Sequence, residues 1–425
     1  MLKYIHIAAI TRHGGSLLAR LLDGHTDIAS MPTEFNFSTS RNVYPYLEKI
    51  VGFPTTIPSF KDYDGDILNF FDLKKEVEIK NVWQKEELDS IGVRQNYIEK
   101  AYYDNIKTNF DKSFFLNNLT KESVNVKKLR DLYDIYFKSY FDAWDNGKHK
   151  NNFKYIVTHS SSGLFLDNFI EYYNNFKDSL ILTPIRDPIT YIASEKVRLA
   201  KIFFGSRRFY KPSVPNFLIK SFDYYDLSAL IRSWNVAITR SKILNDQLSP
   251  EKYLCYQYED LVNKTETIMK GISEEAGFNY ESILQRPTIA NNDWSGNSHY
   301  GKVSNLKISN YSTKVLSKKE IELIKNKTYH LYDKIKDNSE KFVNLQKIDN
   351  KFFYDYDFQK KYSENKKNWS LYCAFAFSGS RKIKIKKVGF LGLVSYFFSI
   401  FSRIINIPRL IKLKFFPGIG KQNYT

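Results

Sequence analysis

The 425 residues suffice for one large α/β domain with insertions, or for two or three smaller domains. Hydrophobic residues make up 43% and charged residues 26%, which excludes a wholly disordered or collagen-like chain. The net charge is +18, but residues 351–425 alone hold 15 Lys and Arg against 3 Asp and Glu, so the charge argues against a domain-wide nucleic-acid surface.

The chain opens with a strand, a glycine-containing turn and a helix. Residues 3–10, KYIHIAAI, form a short apolar and partly β-branched run that is typical of a buried strand. Thr11 to Gly15 interrupt this run, and Ser16 begins a helix whose apolar face ends near Gly24.

Residues 35–150 predict a mainly helical insertion, and its clearest helical stretch is 122–144. We expect this insertion to shape the acceptor side of a site.

Strand patterns return at 154–158, 180–185 and 252–257. Between and after them lie two helical patterns, one over 223–245 and one that starts at Ser317 with Glu320 as a capping box. Strands that alternate with helices predict an α/β fold with a central parallel sheet flanked by helices.

The turn after the first strand is suited to an anion. The positive end of the helix dipole and the N–H groups of the first turn converge there, and Arg12 adds a cation. Gly14 and Gly15 allow close backbone approach. A Walker A loop has Lys before Ser or Thr, whereas Gly15 precedes Ser16 here, so we expect a phosphate site without a bound metal. The same pattern also occurs without function in many α/β proteins.

A second anchor lies in residues 180–194, LILTPIRDPITYIAS. A strand ends at Arg186, Pro188 sets a turn, and a helix runs through Ser194. Ligands of open α/β sheets bind at the carboxyl ends of the strands, which is where Arg186 lies. The alternative is a structural salt bridge between Arg186 and Asp187.

Together, the two anchors resemble sulfotransferases that use 3′-phosphoadenosine 5′-phosphosulfate (PAPS), in the bacterial and membrane-enzyme branch. TRHGGSLLARLLDGHTDI (11–28) resembles the family's 5′-phosphosulfate loop, and RDPITYIAS (186–194) its 3′-phosphate motif. YEDLVNKTETIMKGISEEAGF (258–278) and WSGNSHYGK (294–302) resemble two later segments. The resemblance implies a P-loop-like α/β domain over 1–345.

The resemblance also implies cofactor contacts. Five residues would hold the 5′-phosphosulfate: Arg12, His13, Gly14, Gly15 and Ser16. Arg186 and Ser194 would hold the 3′-phosphate. Tyr258 would stack near the adenine, although packing explains this residue equally well. The family usually has Ser or Thr at the positions of His13 and Gly15, so backbone N–H groups, Arg12 and Ser16 would supply that part of the binding.

Transfer of a sulfuryl group needs a base for the acceptor hydroxyl and positive groups for the leaving phosphate. Glu34, in MPTEF, matches the catalytic Glu that related enzymes carry soon after the first helix; the alternative is a capping or surface carboxylate. Arg12 would stabilise the leaving group. His159 stands where several relatives carry Lys, and it is the second candidate as cation, donor or base. A structural histidine at a strand end is the alternative.

No metal is expected. Cys255 and Cys373 are too few for a zinc cluster or a disulfide framework, and no His and carboxylate pair has metal spacing. Two cysteines also fit a reducing compartment, and Cys255 falls in a predicted core strand.

Residues 346–425 form a basic, aromatic-rich tail. Five cations in RKIKIKK (381–387) precede an amphipathic helix pattern at 388–407, which suits contact with an anionic membrane surface. The alternative is a helix packed on the protein's own surface, and nucleic acid is not an expected partner. No apolar run is long enough to predict a membrane-spanning helix.

We therefore predict a PAPS-dependent sulfotransferase that modifies a hydroxyl of a glycan, a lipid-linked sugar or a small molecule. The N-terminus has no signal-peptide core, so the expected location is the cytoplasm, with peripheral contact to the inner face of the membrane. One alternative is a P-loop kinase-like nucleotide-dependent transferase. The other is a non-enzymatic membrane-associated protein with a degenerate nucleotide fold.

Overall fold

The computed structural model describes residues 2–31, 109–124, 126, 128–145, 153–160, 176–203, 216–222, 225–249, 251–289, 292–294 and 312–353. The strands are β1 (Lys3–Ala8), β2 (Ile28–Ser30), β3 (Asn109–Phe110), β4 (Trp144–Asp145), β5 (Tyr155–Ser160), β6 (Leu180–Ile185), β7 (Tyr253–Gln257), β8 (Thr288–Ile289) and β9 (Asn292–Asp293). The helices are α1 (Gly15–Asp23), α2 (Lys112–Glu122), α3 (Leu129–Asp142), α4 (Pro188–Phe203), α5 (Asn216–Ser221), α6 (Leu227–Gln247), α7 (Tyr258–Asn263), α8 (Thr265–Ala276), α9 (Ser312–Val315) and α10 (Lys318–Asp337).

Five strands form one parallel sheet in the order β2–β5–β1–β6–β7. β1 lies at the centre, where Ile5 pairs with Val157 of β5 on one side and with Leu180 of β6 on the other. These strands are apolar runs buried on both faces, as is typical of parallel sheets covered by helices. The predicted α/β class with a central parallel sheet is confirmed.

Helices cover both faces of this sheet. On one face α1 and α8 pack on the strands through residues such as Ile7 and Met269. On the other face α4, α6 and α10 share a core with β6 that includes Ile181 and Trp234. α3 packs beside them on β1 and β5 and contributes Phe137. The helices that follow β1 and β6 therefore lie on opposite faces of the sheet.

Most of the predicted helical stretch 122–144 is α3, which begins at Leu129, whereas Glu122 is the last residue of α2. The Ser123 hydroxyl donates to the carbonyl of Thr120 at 3.1 Å, and the N–H of Val126 donates to the carbonyl of Ser123 at 3.2 Å. Serine side chains compete in this way with helical backbone hydrogen bonds. The chain turns here before α3 begins.

The other two predicted helices are present. α6 starts later than the predicted 223–245 because the Asp226 side chain accepts the N–H of Ala229 at 2.8 Å and so caps the helix. The capping box of Ser317 and Glu320 at the start of α10 is confirmed.

Several predictions lie outside the described residues. They concern Glu34, most of the 35–150 insertion, residues 295–302 and the tail helix 388–407. The division into a domain over 1–345 and a tail therefore stays a prediction. Within the described stretches, no helix combines the length and apolarity that crossing a bilayer requires.

Candidate functional site

The loops after β1 and β6 lie next to each other at the carboxyl edge of the sheet. β1 and β6 are neighbours, and their following helices pack on opposite faces. Open α/β sheets bind ligands at such a topological switch point. The two connections leave neighbouring strands toward opposite faces of the sheet there. Arg12 to Ser16 lie in the first loop and the first turn of α1, and Arg186 begins the second loop.

The first loop presents unpaired backbone donors. Arg12 has φ 71° and Gly14 has φ 103°, so the chain takes two left-handed steps before α1. The carbonyl of Gly14 accepts the N–H groups of Leu17 and Leu18 at 3.0 and 3.3 Å. Within the described part of the chain, the N–H groups of Gly15 and Ser16 donate no hydrogen bond to a backbone carbonyl. An anion is the usual partner for such groups at a helix N-terminus.

Two rings explain why this loop contains glycines. A Cβ atom on Gly14 would overlap the Tyr258 ring, and one on Gly15 would lie 2.7 Å from Nε2 of His159. Tyr258 reaches the loop from the end of β7, and His159 reaches it from the end of β5. Side chains from the ends of two strands therefore converge on the start of α1.

The Arg186 guanidinium connects the two loops. It is 7% exposed, and its Nη1 donates to the carbonyl of Arg12 at 2.8 Å. Its Nε donates to Oγ1 of Thr190 at 3.1 Å, and its Cζ lies 4.5 Å from the centroid of the Tyr258 ring. These contacts fix the planar guanidinium of Arg186, which donates to Arg12 in the first loop and to Thr190 at the start of α4.

The structural alternative for Arg186, a salt bridge to Asp187, is not found among the described residues. Oδ1 of Asp187 accepts the N–H of Thr190 at 2.8 Å and so caps α4, while Oδ2 accepts the Tyr329 hydroxyl at 2.7 Å. Asp187 therefore forms no salt bridge with the Arg186 guanidinium, because its two oxygens accept hydrogen bonds from Thr190 and Tyr329.

Arg12 faces a buried carboxylate that the sequence did not single out. Its Nε lies 3.8 Å from Oε1 of Glu195, which is 2% exposed. The Arg198 guanidinium also binds Glu195, at 2.6 Å through Nη2. Glu195 directly follows Ser194, which is buried on α4. A glutamate in mid-helix ordinarily predicts a solvent-exposed face, so only the packing of α4 under the first loop reveals this contact.

His13 is buried beneath the loop. Its Nδ1 donates to the carbonyl of Pro184 at 3.2 Å, since a carbonyl can only accept. Its ring meets the Tyr191 ring edge-on, with centroids 4.8 Å apart. The pKa of His13 is lowered to about 3, chiefly by burial and in smaller part by the charge of Arg186, although the hydrogen bond to Pro184 opposes the shift. The side chain is therefore neutral at ordinary pH and does not add a cation to the loop.

His159 is also neutral. Burial lowers its pKa to about 3, and the charge of Arg20 adds to this effect. At neutral pH the imidazole against Gly15 can donate or accept a hydrogen bond, but it does not carry the positive charge of a lysine at this place. Its predicted catalytic role stays a prediction, restricted to uncharged chemistry.

The Cys255 thiol and metal-binding clusters were also considered. Cys255 is buried in β7, and burial raises the pKa of its thiol to about 12, so it is not a nucleophile. Across the described stretches, no cluster of three His, Cys, Asp or Glu side chains has the geometry to hold a metal ion.

The chain is similar in structure to three solved sulfotransferases. They are the sulfotransferase domain from the curacin biosynthetic pathway (14% identity, 77% of this chain and 97% of that chain, TM-score 0.39), the sulfotransferase domain from the Synechococcus PCC 7002 olefin synthase (13%, 77% and 94%, 0.39), and sulfotransferase STF1 from Mycobacterium tuberculosis H37Rv (12%, 78% and 77%, 0.34). No protein-family model and no curated protein matches the chain. Identity and TM-score are both low, so the activity has to follow from this chain's own residues.

Proposed function

We propose that this chain is a sulfotransferase that moves a sulfuryl group from PAPS to a hydroxyl acceptor. The observation that carries the proposal is the Arg186 guanidinium, which lies between the β1 loop and the β6 loop and contacts both Arg12 and Tyr258. A nucleotide that carries phosphates on two positions of its ribose suits two cationic anchors on neighbouring strands. The missing Lys before Ser16 disfavours a kinase-like site.

The described residues fit such a donor. The unpaired N–H groups of Gly15 and Ser16, with Arg12, would receive the 5′-phosphosulfate at the positive end of α1. Arg186 and Ser194 would hold the 3′-phosphate, and the Tyr258 ring would flank the adenine. His13 would contribute by supporting the loop from below rather than by charge. The donor supplies the sulfuryl group and a phosphate leaving group.

In the proposed reaction the acceptor oxygen forms a bond to sulfur while the bond between sulfur and the 5′-phosphate oxygen breaks. The hydroxyl proton passes to Glu34, the proposed base, which lies outside the described residues. Arg12 and the α1 N–H groups stabilise the charge that develops on the leaving phosphate. Replacing the base by Glu34→Gln should lower the transferase rate by about 100-fold or more, since general bases contribute 10²–10⁴-fold. Full activity of this variant would remove Glu34 from the mechanism.

The acceptor is proposed only as a hydroxyl compound: a glycan, a lipid-linked sugar or another small molecule. We further propose that the chain acts in the cytoplasm and that the basic tail contacts an anionic membrane surface there. The support for both is the residue pattern of the sequence.

The proposed function is tested by calorimetry with 3′-phosphoadenosine 5′-phosphate (PAP), the spent donor, without magnesium. Micromolar binding that disappears in Arg186→Ala is the expected result. Arg286→Ala is the matched control, because Arg286 is an exposed arginine in an ion pair with Asp293. Absence of binding to the folded wild type would overturn the proposal, and an absolute magnesium requirement would favour the kinase-like alternative.

A further inference from the structure

Glu259 is a buried carboxyl beside the Arg186 guanidinium, and the proposed chemistry does not use it. It follows Tyr258 at the start of α7. Its Oε1 accepts the N–H of Asp187 at 3.2 Å and lies 3.3 Å from Oγ1 of Thr190. Its Oε2 is buried and has no hydrogen-bond partner in the described part of the chain. Glu259 therefore supports the Arg186 loop with one oxygen and leaves the other unsatisfied.

The groups that face Glu259 come from three elements: Arg186 and Asp187 from the β6–α4 loop, Tyr258 from its own helix, and Tyr329 and Tyr332 from α10. Arg186 is the cation among them. The pKa of Glu259 is raised to about 7: burial is the largest cause, the charge of Arg186 opposes it, and the charge of Asp187 adds to it. The carboxyl thus changes its charge near neutral pH beside the proposed 3′-phosphate anchor.

We propose that Glu259 is a positioning residue that takes up a proton from solvent when Arg186 binds an anionic group. This inference rests on the proposed function. Without ligand, the positive charge of Arg186 favours the ionised carboxyl. A phosphate on Arg186 cancels that attraction and adds a negative charge nearby, so the ionised form loses its support. Protonation at the unpartnered Oε2 leaves Oε1 free to keep accepting the N–H of Asp187, and the loop keeps its geometry.

The inference predicts a pH dependence of a definite sign. PAP affinity should fall as pH rises from 6.5 to 8.5, by about three- to tenfold, since a pKa change of one unit upon binding corresponds to a factor of ten. The phosphates of the ligand act in the opposite direction, because their second pKa near 6 makes binding stronger as pH rises. Proton uptake is therefore distinguishable from titration of the ligand itself.

The test is calorimetry of PAP with the full chain at pH 6.5, 7.5 and 8.5. Each titration is repeated in two buffers of different ionisation enthalpy, which yields the number of protons taken up. The wild type should take up a substantial fraction of a proton at pH 7.5. Glu259→Gln, which keeps a carbonyl oxygen for Asp187, should bind PAP without that uptake. Glu275→Gln removes an exposed carboxylate from α8 and should behave as wild type.

The outcomes separate the two proposals. PAP binding with no proton uptake by the wild type, or with equal uptake by Glu259→Gln, would overturn this inference alone. Failure of the folded wild type to bind PAP at every pH would overturn the proposed function and this inference with it. If Glu259→Gln does not fold, the proton count of the wild type decides the question by itself.

Discussion

Nη1 of Arg186 lies 2.8 Å from the carbonyl oxygen of Arg12, so a side chain of the second loop donates a hydrogen bond to the main chain of the first loop. The contact uses the backbone of Arg12, which is in a left-handed conformation at φ 71°. The two loops come from neighbouring strands and are separated by more than 170 residues in the chain. The guanidinium therefore links the two loops directly, in addition to the hydrogen bond between His13 and the carbonyl of Pro184.

Arg186→Lys should lower PAP affinity even though it keeps the charge. Lysine cannot reach Arg12, Thr190 and an anion at once, because it presents one compact ammonium in place of a planar fork. A hydrogen bond to a charged group contributes about 1.5–3 kcal/mol, which corresponds to a loss of roughly ten- to 100-fold. Calorimetry with PAP measures the loss, and wild-type affinity in Arg186→Lys would show that charge alone suffices.

Gly14→Ala should destabilise the protein and abolish PAP binding. The new methyl group would combine a strained φ of 103° with overlap onto the Tyr258 ring. Gly277→Ala is the matched control, since Gly277 also has a positive φ, of 77°, but its nearest neighbour is the Nζ of Lys3 at 3.8 Å. We expect the control to lose about 1 kcal/mol of stability from strain and to keep its affinity. Equal affinities of the two variants would refute a steric role for the Tyr258 ring.

Lys196→Ala should cost about 3–5 kcal/mol of unfolding free energy. The side chain is fully buried on α4, and its Nζ binds Glu320 at 2.8 Å and the carbonyl of Lys220 at 2.9 Å. Its removal leaves Glu320 without its buried counter-ion. Urea denaturation measures the loss. Lys270→Ala breaks an exposed pair with Glu266 and should leave the midpoint unchanged; similar losses in both would contradict this explanation.

The protein should lose stability on acidification below pH 6.5. Burial lowers the pKa values of His6, His13 and His159 to about 3, so below 6.5 only the unfolded chain takes up these protons. Each histidine then costs about 1.4 kcal/mol per pH unit. Glu259 acts in the opposite direction between about 4.5 and 7, because its raised pKa lets the folded state hold the proton. The four groups together should cost about 2.7 kcal/mol per unit between pH 6 and 5.

Urea denaturation at pH 7.5, 6.0 and 5.0 measures this slope. A free energy of unfolding that stays constant between pH 6.0 and 5.0 would mean that the three histidines are not held neutral in the folded protein.

Replacing the five cations of residues 381–387 by Gln should weaken binding to anionic lipid vesicles. Each Lys or Arg near such a surface contributes about 1 kcal/mol, so the full set should change the partition coefficient by at least 100-fold. Sedimentation of the full chain with vesicles containing phosphatidylserine measures the effect, and vesicles of neutral lipid serve as the control. Unchanged sedimentation of the variant would place the tail away from the membrane.

Local pattern predicted four of the five strands of the central sheet, but it missed the short edge strand β2. The strand at 180–185, the capping box of Ser317 and Glu320, and the strand–turn–helix before Ser16 all depend on contacts within a few residues. The boundary between α2, which ends at Glu122, and α3, which begins at Leu129, was not predicted from the sequence.

The ionisation states of the site residues could not be predicted from the local sequence pattern. By sequence, His13 was a candidate cofactor contact and His159 a candidate cation, donor or base, and Glu195 and Glu259 were not singled out. Burial holds both histidines neutral, and packing brings the two carboxyls close to Arg12 and Arg186.

The sequence by itself therefore predicted four strands of the central parallel sheet and the helix after the first of them, and it named the candidate site residues, because these predictions follow from side-chain type and spacing. The tertiary structure decided which of those residues meet and in which ionisation state. Ionisation depends on desolvation and on neighbouring charges, and at this site the neighbours come from β1, β5, β6, β7, α4 and α10, which are distant in the chain and adjacent only in the folded protein.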